Sequence, residues 1–255
     1  MARTIANRTT GFLDNGTTLT HSGAPRTNGI VIVAHLQQFP APNTTPIPIS
    51  GGGETWTSLV AVQAQNGIRH SLWIAGATAD TDFTCTFGPW TSNVAARSEI
   101  FEVSDTTLAE YVSISSLVFG TAPSGDGTIQ LDYADPGGSV TGIELIIEAF
   151  QSSNAAAGGG TGFTSETLDS ALTAGYADQN SSTGQGRYLA GLGSYKEYAA
   201  AADRPALTNV VNRDSAATVQ GQASGYRLFF GNANPGQAGW GWHGESPRWQ
   251  VVRGM

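Results

Sequence analysis

The chain has 255 residues, enough for one large β domain or two small ones, with a hydrophobic core that needs no staples. Charged residues make up only 13% of it, against roughly 25% in an ordinary globular domain, so its outer faces must be built largely from Thr, Ser, Asn, Gln and Gly. Twelve Lys and Arg against twenty Asp and Glu leave a net charge of −8, which argues against nucleic acid and anionic membranes as partners, and the single Cys85 allows no intrachain disulfide.

The opening stretch, Met1 to Gly16, has no apolar h-region, so the protein is expected to be made without an ordinary export signal. Residues 1–12 read as an extended N-terminal arm. Gly29 to His35 reads as a buried strand, and the Pro-rich stretch from Phe39 to Pro48 as an extended surface loop, because each proline removes a ladder donor. Gly51-Gly52-Gly53 lacks the Gly-Lys-Ser/Thr that a phosphate loop needs and reads as a turn. Glu54 to Gln63 and Arg69 to Ala75 flank Asn66-Gly67, a strong hairpin signal. Asp80 to Phe87 alternates Phe83, Cys85 and Phe87 against Asp82, Thr84 and Thr86, as a half-buried strand does.

Further strands are expected at Glu99 to Val103, Val112 to Val118, Thr128 to Tyr133 and Ser139 to Phe150, the last apolar enough to be buried on both faces. An Ala/Gly-rich insertion follows near 152–163. Ser165, Glu166 and Asp169 before Leu168, Ala171 and Leu172 predict a short helix over Thr164 to Gly175. Strand-like segments resume at Arg187 to Leu192, Ala216 to Gln222, Tyr226 to Phe230, Trp240 to His243 and Trp249 to Val252. They look too few and short to bury a core alone, and no fixed-period repeat is visible, so they are expected to complete sheets begun in the first half. The fold class is therefore all-β: one antiparallel sandwich or jelly roll over residues 1–255, with long loops and at most one or two short helices.

The chemistry in this pattern is sparse. The four histidines, His21, His35, His70 and His243, show no helical metal-site spacing. His35 and His70 lie in apolar runs and read as hydrogen-bonded core residues in preference to ligands, and Cys85 as a buried strand residue in preference to a nucleophile. No Gly-x-Ser-x-Gly elbow is present. The acids pair as Asp80 with Asp82, Glu99 with Glu102, and Asp132 with Asp135, mostly at strand ends and turns. Ser124 to Gly127 with Asp132 and Asp135 does not fit an EF-hand and reads as turn chemistry before calcium. No catalytic residue, metal ligand or cofactor is expected. The remaining concentration is aromatic: Trp240, Trp242, His243 and Trp249 are the candidate contact residues for an interface or a glycan, against the plainer reading of tryptophans capping the core.

Glu54-Thr55-Trp56-Thr57, Arg69 to Ala75, Ala79 to Phe87 and Ala96 to Val103, with the closing Trp240 to Val252, together resemble a jelly-roll pattern of tailed-bacteriophage virion proteins. The resemblance covers about half the chain and implies a non-enzymatic structural protein: a capsid decoration or cement protein, a head fibre or a minor tail component. It implies oligomers, with other virion proteins and copies of itself as partners, in virions assembled in the host cytoplasm. The competing expectations are a carbohydrate-binding host-adhesion module built on the C-terminal tryptophans, and, behind it, a divergent glycosidase-type enzyme using acids such as Asp80, Asp132 and Glu144.

Overall fold

The fold was analysed in a computed structural model that describes residues 5–23, 31–40, 49–51, 55–65, 68–76, 83–104, 111–122, 127–153, 163–172, 174–182, 187–213 and 221–233. Eight strands come from the first part of the chain: β1 (Ile5–Gly16), β2 (Leu19–Gly23), β3 (Val31–Phe39), β4 (Ile49–Gly51), β5 (Thr57–Gln65), β6 (Ile68–Gly76), β7 (Phe83–Phe87) and β8 (Val94–Val103). Eight more follow: β9 (Tyr111–Ala122), β10 (Thr128–Tyr133), β11 (Ser139–Ser153), β12 (Phe163–Thr167), β13 (Ala174–Ser182), β14 (Arg187–Asp203), β15 (Leu207–Arg213) and β16 (Gly221–Ala233). The protein is all-β, and among the described residues every strand pairing is antiparallel.

The strands form two five-stranded sheets, β1-β8-β3-β6-β5 and β13-β14-β11-β16-β9, and two three-stranded sheets, β2-β7-β4 and β10-β15-β12. Adding eight to each strand number of β1-β8-β3-β6-β5 and β2-β7-β4 reproduces the other large sheet, read from its opposite edge, and the other small one. The late strands therefore build sheets of their own and do not complete earlier ones. The repeat escapes a search for a fixed period because the spacing drifts: Ile5 and Tyr111, which open equivalent strands, are 106 positions apart, whereas Val94 and Gly221 are 127 apart.

The layers stack small, large, large, small. Alternation along each strand decides what lies between them. Leu19, Cys85, Phe87 and Trp90 pack on Ala34, Leu36, Trp73, Ala96 and Ile100 to fill the space under the first small sheet. The central layer joins Val33, Leu72, Ile74, Phe101 and Val103 of the first large sheet to Ile143, Leu145, Ile147, Tyr226, Leu228 and Phe230 of the second. On the far side, Ile129, Leu131, Tyr133, Phe163, Leu207 and Val211 of the second small sheet cover Ile146, Phe150, Ala190, Leu192 and Ala223. Both faces of the large sheets are covered, so β8 is buried at every position and Ile143 to Ile147 of β11 is inaccessible, as its apolar run predicts. The two halves share the central core and are one packed body.

Two further expectations change. Residues 5–16 are not an arm but an edge strand paired along β8. No helix occurs among the described residues: Phe163–Thr167 pairs with β15, and Asp169 closes a turn by accepting from Ala171 N (2.8 Å) and Thr208 N (2.9 Å). The residues that resemble a helix cap are thus a strand end followed by an Asx turn, with Ala171 and Leu172 tucked against the outer core. The hairpin is as expected, with Gln65 opposite Ile68. Pro-rich residues 41–48 and Ala/Gly residues 154–162 lie outside the described residues.

Candidate functional site

Charged residues inside doubly covered strands must be paired or neutralised, and three polar centres do this. The first crosses the central layer. His35 on β3 sits opposite Glu99 on β8, and on β6 His70 lies two residues before Leu72, His35's other partner, so the three side chains share one face. Across the core, β16 presents Ser224. Ser224 Oγ lies 2.7 Å from His70 Nε2, His70 Nδ1 lies 3.3 Å from His35 Nε2, and His35 Nδ1 stands 3.7 Å from Glu99 Oε2. The two imidazoles are within 6° of parallel with centroids 5.5 Å apart. With facing nitrogens at 3.3 Å, that is an edge-to-edge N–H···N arrangement. Tyr226 meets both rings edge-on at 6.1 Å.

One assignment of hydrogens satisfies the line: Ser224 O–H donates to His70 Nε2, His70 Nδ1–H donates to His35 Nε2, and His35 Nδ1–H points at Glu99. Glu99 also accepts from Arg8 Nη2 at 2.5 Å, with Arg97 Nη2 at 3.5 Å. Burial would raise the Glu99 pKa, but the approach of His35 and the charges of Arg8 and Arg97 outweigh it and pull the carboxyl down to about 2. Burial and the neighbouring His35 hold His70 well below the ordinary histidine range. The carboxylate lies against β14 at Gly191, where any Cβ would collide with it. On the opposite face of β8, His21 bridges Ser98 Oγ (2.7 Å) and Thr9 Oγ1 (2.8 Å). Burial, opposed by Glu99 and helped by Arg97, lowers its pKa to about 4.

The second centre pins β11 to β16. Arg227 grips Glu144 with Nε and Nη2 (2.6 and 3.0 Å) and donates Nη1 to Ala134 O (2.9 Å). Tyr198 donates to the same carboxylate at 3.1 Å, and Arg204 approaches it at 3.8 Å while lying over the Phe229 ring. The third joins the second large sheet to its small sheet. Glu148 Oε1 accepts from Tyr133 Oη (2.6 Å) and Asn209 Nδ2 (3.1 Å), and the Tyr133 hydroxyl fits only because residue 225 is glycine. Burial and the adjacent Glu148 carboxyl push Glu166 up to about 11, which favours its protonated form.

A hydroxyl, two imidazoles and a carboxylate in line are the parts of an activated nucleophile. Here Ser224 is 1% exposed and His70 fully enclosed, so the line is closed inside the core and does not present a hydroxyl to solvent. The expectation that His35 and His70 are hydrogen-bonded core residues is met, as is burial of Cys85. The acids depart from expectation: Glu99, Glu144 and Glu148 are mid-strand and buried, and Glu99 and Glu102 point to opposite faces. Asp132 is held by Gln130 and Thr208 on an exposed face, and Asp135 caps Gly137 N. Among the described residues no group of three His, Cys, Asp or Glu is placed to hold a metal. Trp240, Trp242, His243 and Trp249 lie outside the described residues, as do Asp80, Asp82 and Asp126.

Sequence reasoning missed Arg8, Ser224, Glu166, Arg227 and His21 as partners. The available signal was charge in the middle of apolar strands, as at Glu144 and Glu148 within Ile143 to Phe150.

Fold and centres define a class: an antiparallel β-sandwich protein with several ionic groups closed inside it. Comparison of the chain with protein-family models, with curated proteins and with solved structures returned no match.

Proposed function

We propose that the chain is a non-enzymatic structural protein of a tailed-phage virion, a capsid decoration or cement protein or a minor tail or fibre component, working by packing against virion proteins and copies of itself. The observation that carries this reading is the doubled strand order. In each half, the first, eighth, third, sixth and fifth strands lie side by side, with the second, seventh and fourth in a facing sheet, and eight antiparallel strands in two facing sheets support a jelly-roll reading. Use of charge supports it. Arg69, Arg97, Arg204, Arg213 and Arg227 are buried, leaving an outer surface on the second small sheet of Thr128, Gln130, Asp132, Ser165, Thr167, Thr208 and Asn212, cross-linked by side-chain hydrogen bonds. A short-chain polar face of this kind loses little side-chain entropy on packing. Mass spectrometry of purified intact particles tests the proposal: the chain is expected at a fixed copy number, and its absence from particles would overturn the reading.

A further inference from the structure

The outer edge of a sheet presents a row of unpaired backbone N–H and C=O groups, and folded chains blunt such edges with charge, proline, bulges or brevity. Among the described residues the four sheets end on β1 and β5, β9 and β13, β2 and β4, and β10 and β12. β1 holds Arg8 and Asp14 and shifts register against β8 near both ends, and β5 shifts twice against β6. β13 contains Asp178, β10 Asp132 and β12 Glu166, while β2 and β4 have only five and three residues. β9 differs from all of them: its twelve residues include no charge and no proline. Its single irregularity, the extra residue Ser115, leaves Ser116 to Ala122 in unbroken register with β16.

We propose that β9 is a docking edge for a second copy of this chain: two β9 strands pair antiparallel about a dyad and join two five-stranded sheets into one. Pairing of this kind rests on the reading that the chain packs against copies of itself. The strand is suited to face itself. β1, which holds the equivalent place in the twin sheet, has charge where β9 has none, so the bare edge is particular to this strand and does not come with the position. With Phe119 on the dyad, Ser116 lies opposite Ala122, Leu117 opposite Thr121 and Val118 opposite Gly120, and no like charges meet. For a chain of net charge −8, an uncharged strand is where two copies approach with least repulsion.

The chain's own continuation is worse placed. Gly231, near the end of β16 at Ala233, pairs with Tyr111 at the start of β9. A strand returning directly from Ala233 along β9 would run parallel to it, the weaker pairing, whereas a second copy meets the edge antiparallel, as β16 does on the other side.

Sedimentation equilibrium and amide hydrogen exchange of the full chain, each over a range of protein concentrations, test the edge. A reversible dimer is expected, with exchange over Ser116 to Ala122 slowing several-fold as the dimer fills and exchange in β1 unchanged. Thr121 is exposed, and Thr121→Lys gives the edge a charge, as β1 has, without reaching the core. This variant should remain monomeric at concentrations where the wild type pairs. A monomeric wild type, a dimer of undiminished affinity in Thr121→Lys, or a dimer that leaves exchange in β9 unchanged would each overturn the proposal. So would exchange over Ser116 to Ala122 that is already slow in the monomer, which would put a segment of the same chain on the edge. None of these outcomes bears on whether the chain is found in particles, which particle composition decides by itself.

Discussion

Burial beside the Glu148 carboxyl favours a proton on Glu166 at a pH where an ordinary carboxyl has lost it. With Glu166 raised to about 11 from a free value near 4.5, the folded chain keeps a proton that the unfolded chain releases. Stability from this pair is therefore fully present below about pH 4.5 and is lost as pH rises toward the folded value. Glu166→Gln replaces that proton with a fixed amide donor. Its denaturation midpoint is expected to exceed the wild type's, with a gap wider at pH 9 than at pH 6; a gap that does not change with pH would contradict a proton held on Glu166. At this scale the sequence was legible for His35, His70 and Cys85, whose apolar surroundings implied burial. It was not legible for Ser224 or Glu166, because their partners lie 154 residues away at His70 and on another sheet at Glu148. Alternation along a strand gives a side chain's face but not what covers it.

At the scale of elements, the Arg227–Glu144 grip ties β11 to β16 and reaches Ala134 just beyond β10. Removing one member leaves a buried unpaired charge. Arg227→Met is expected to cost about 3–5 kcal/mol in chemical denaturation, and Glu144→Met added to it to recover much of that loss, because the pair's desolvation cost disappears with the pair. Additive losses would contradict this. Legibility followed the clarity of the two-residue period. Thr128–Tyr133, exposed and buried in strict turn, matches its predicted limits. β14 runs to Asp203, well past the expected Leu192, because Gly, Ser, Lys and Ala residues carry no strand signal and pairing with β11 extends it. The Asp169 region misled because a side-chain oxygen that caps a helix closes a turn equally well.

For the whole molecule, the central layer makes each half the lid of the other. Residues 1–104 expressed alone would expose Val33, Leu72, Ile74, Phe101 and Val103 together with the charged Glu99, a large apolar patch for a soluble chain. Sedimentation of that fragment is expected to show self-association; a monodisperse, natively folded monomer would show that the halves do not depend on one another. The all-β class and most strands could be read from the sequence. The doubling could not, since loops of unequal length carry equivalent strands steadily out of phase.

The pairings across the core exchange under the same eight-strand offset: β6 meets β16 through His70 and Ser224, and β8 lies against β14 through Glu99 and Gly191. Such a contact has the form of a homodimer interface built into one polypeptide. In a true homodimer, two-fold symmetry would require each cross-core pair to occur twice, and an imidazole facing serine on one side would face it again on the other. Covalent linkage lifts that requirement. One side can carry a hydroxyl and an imidazole and the other a carboxylate against bare backbone, so a directional row of polar groups runs through a core whose two sheets are topological twins.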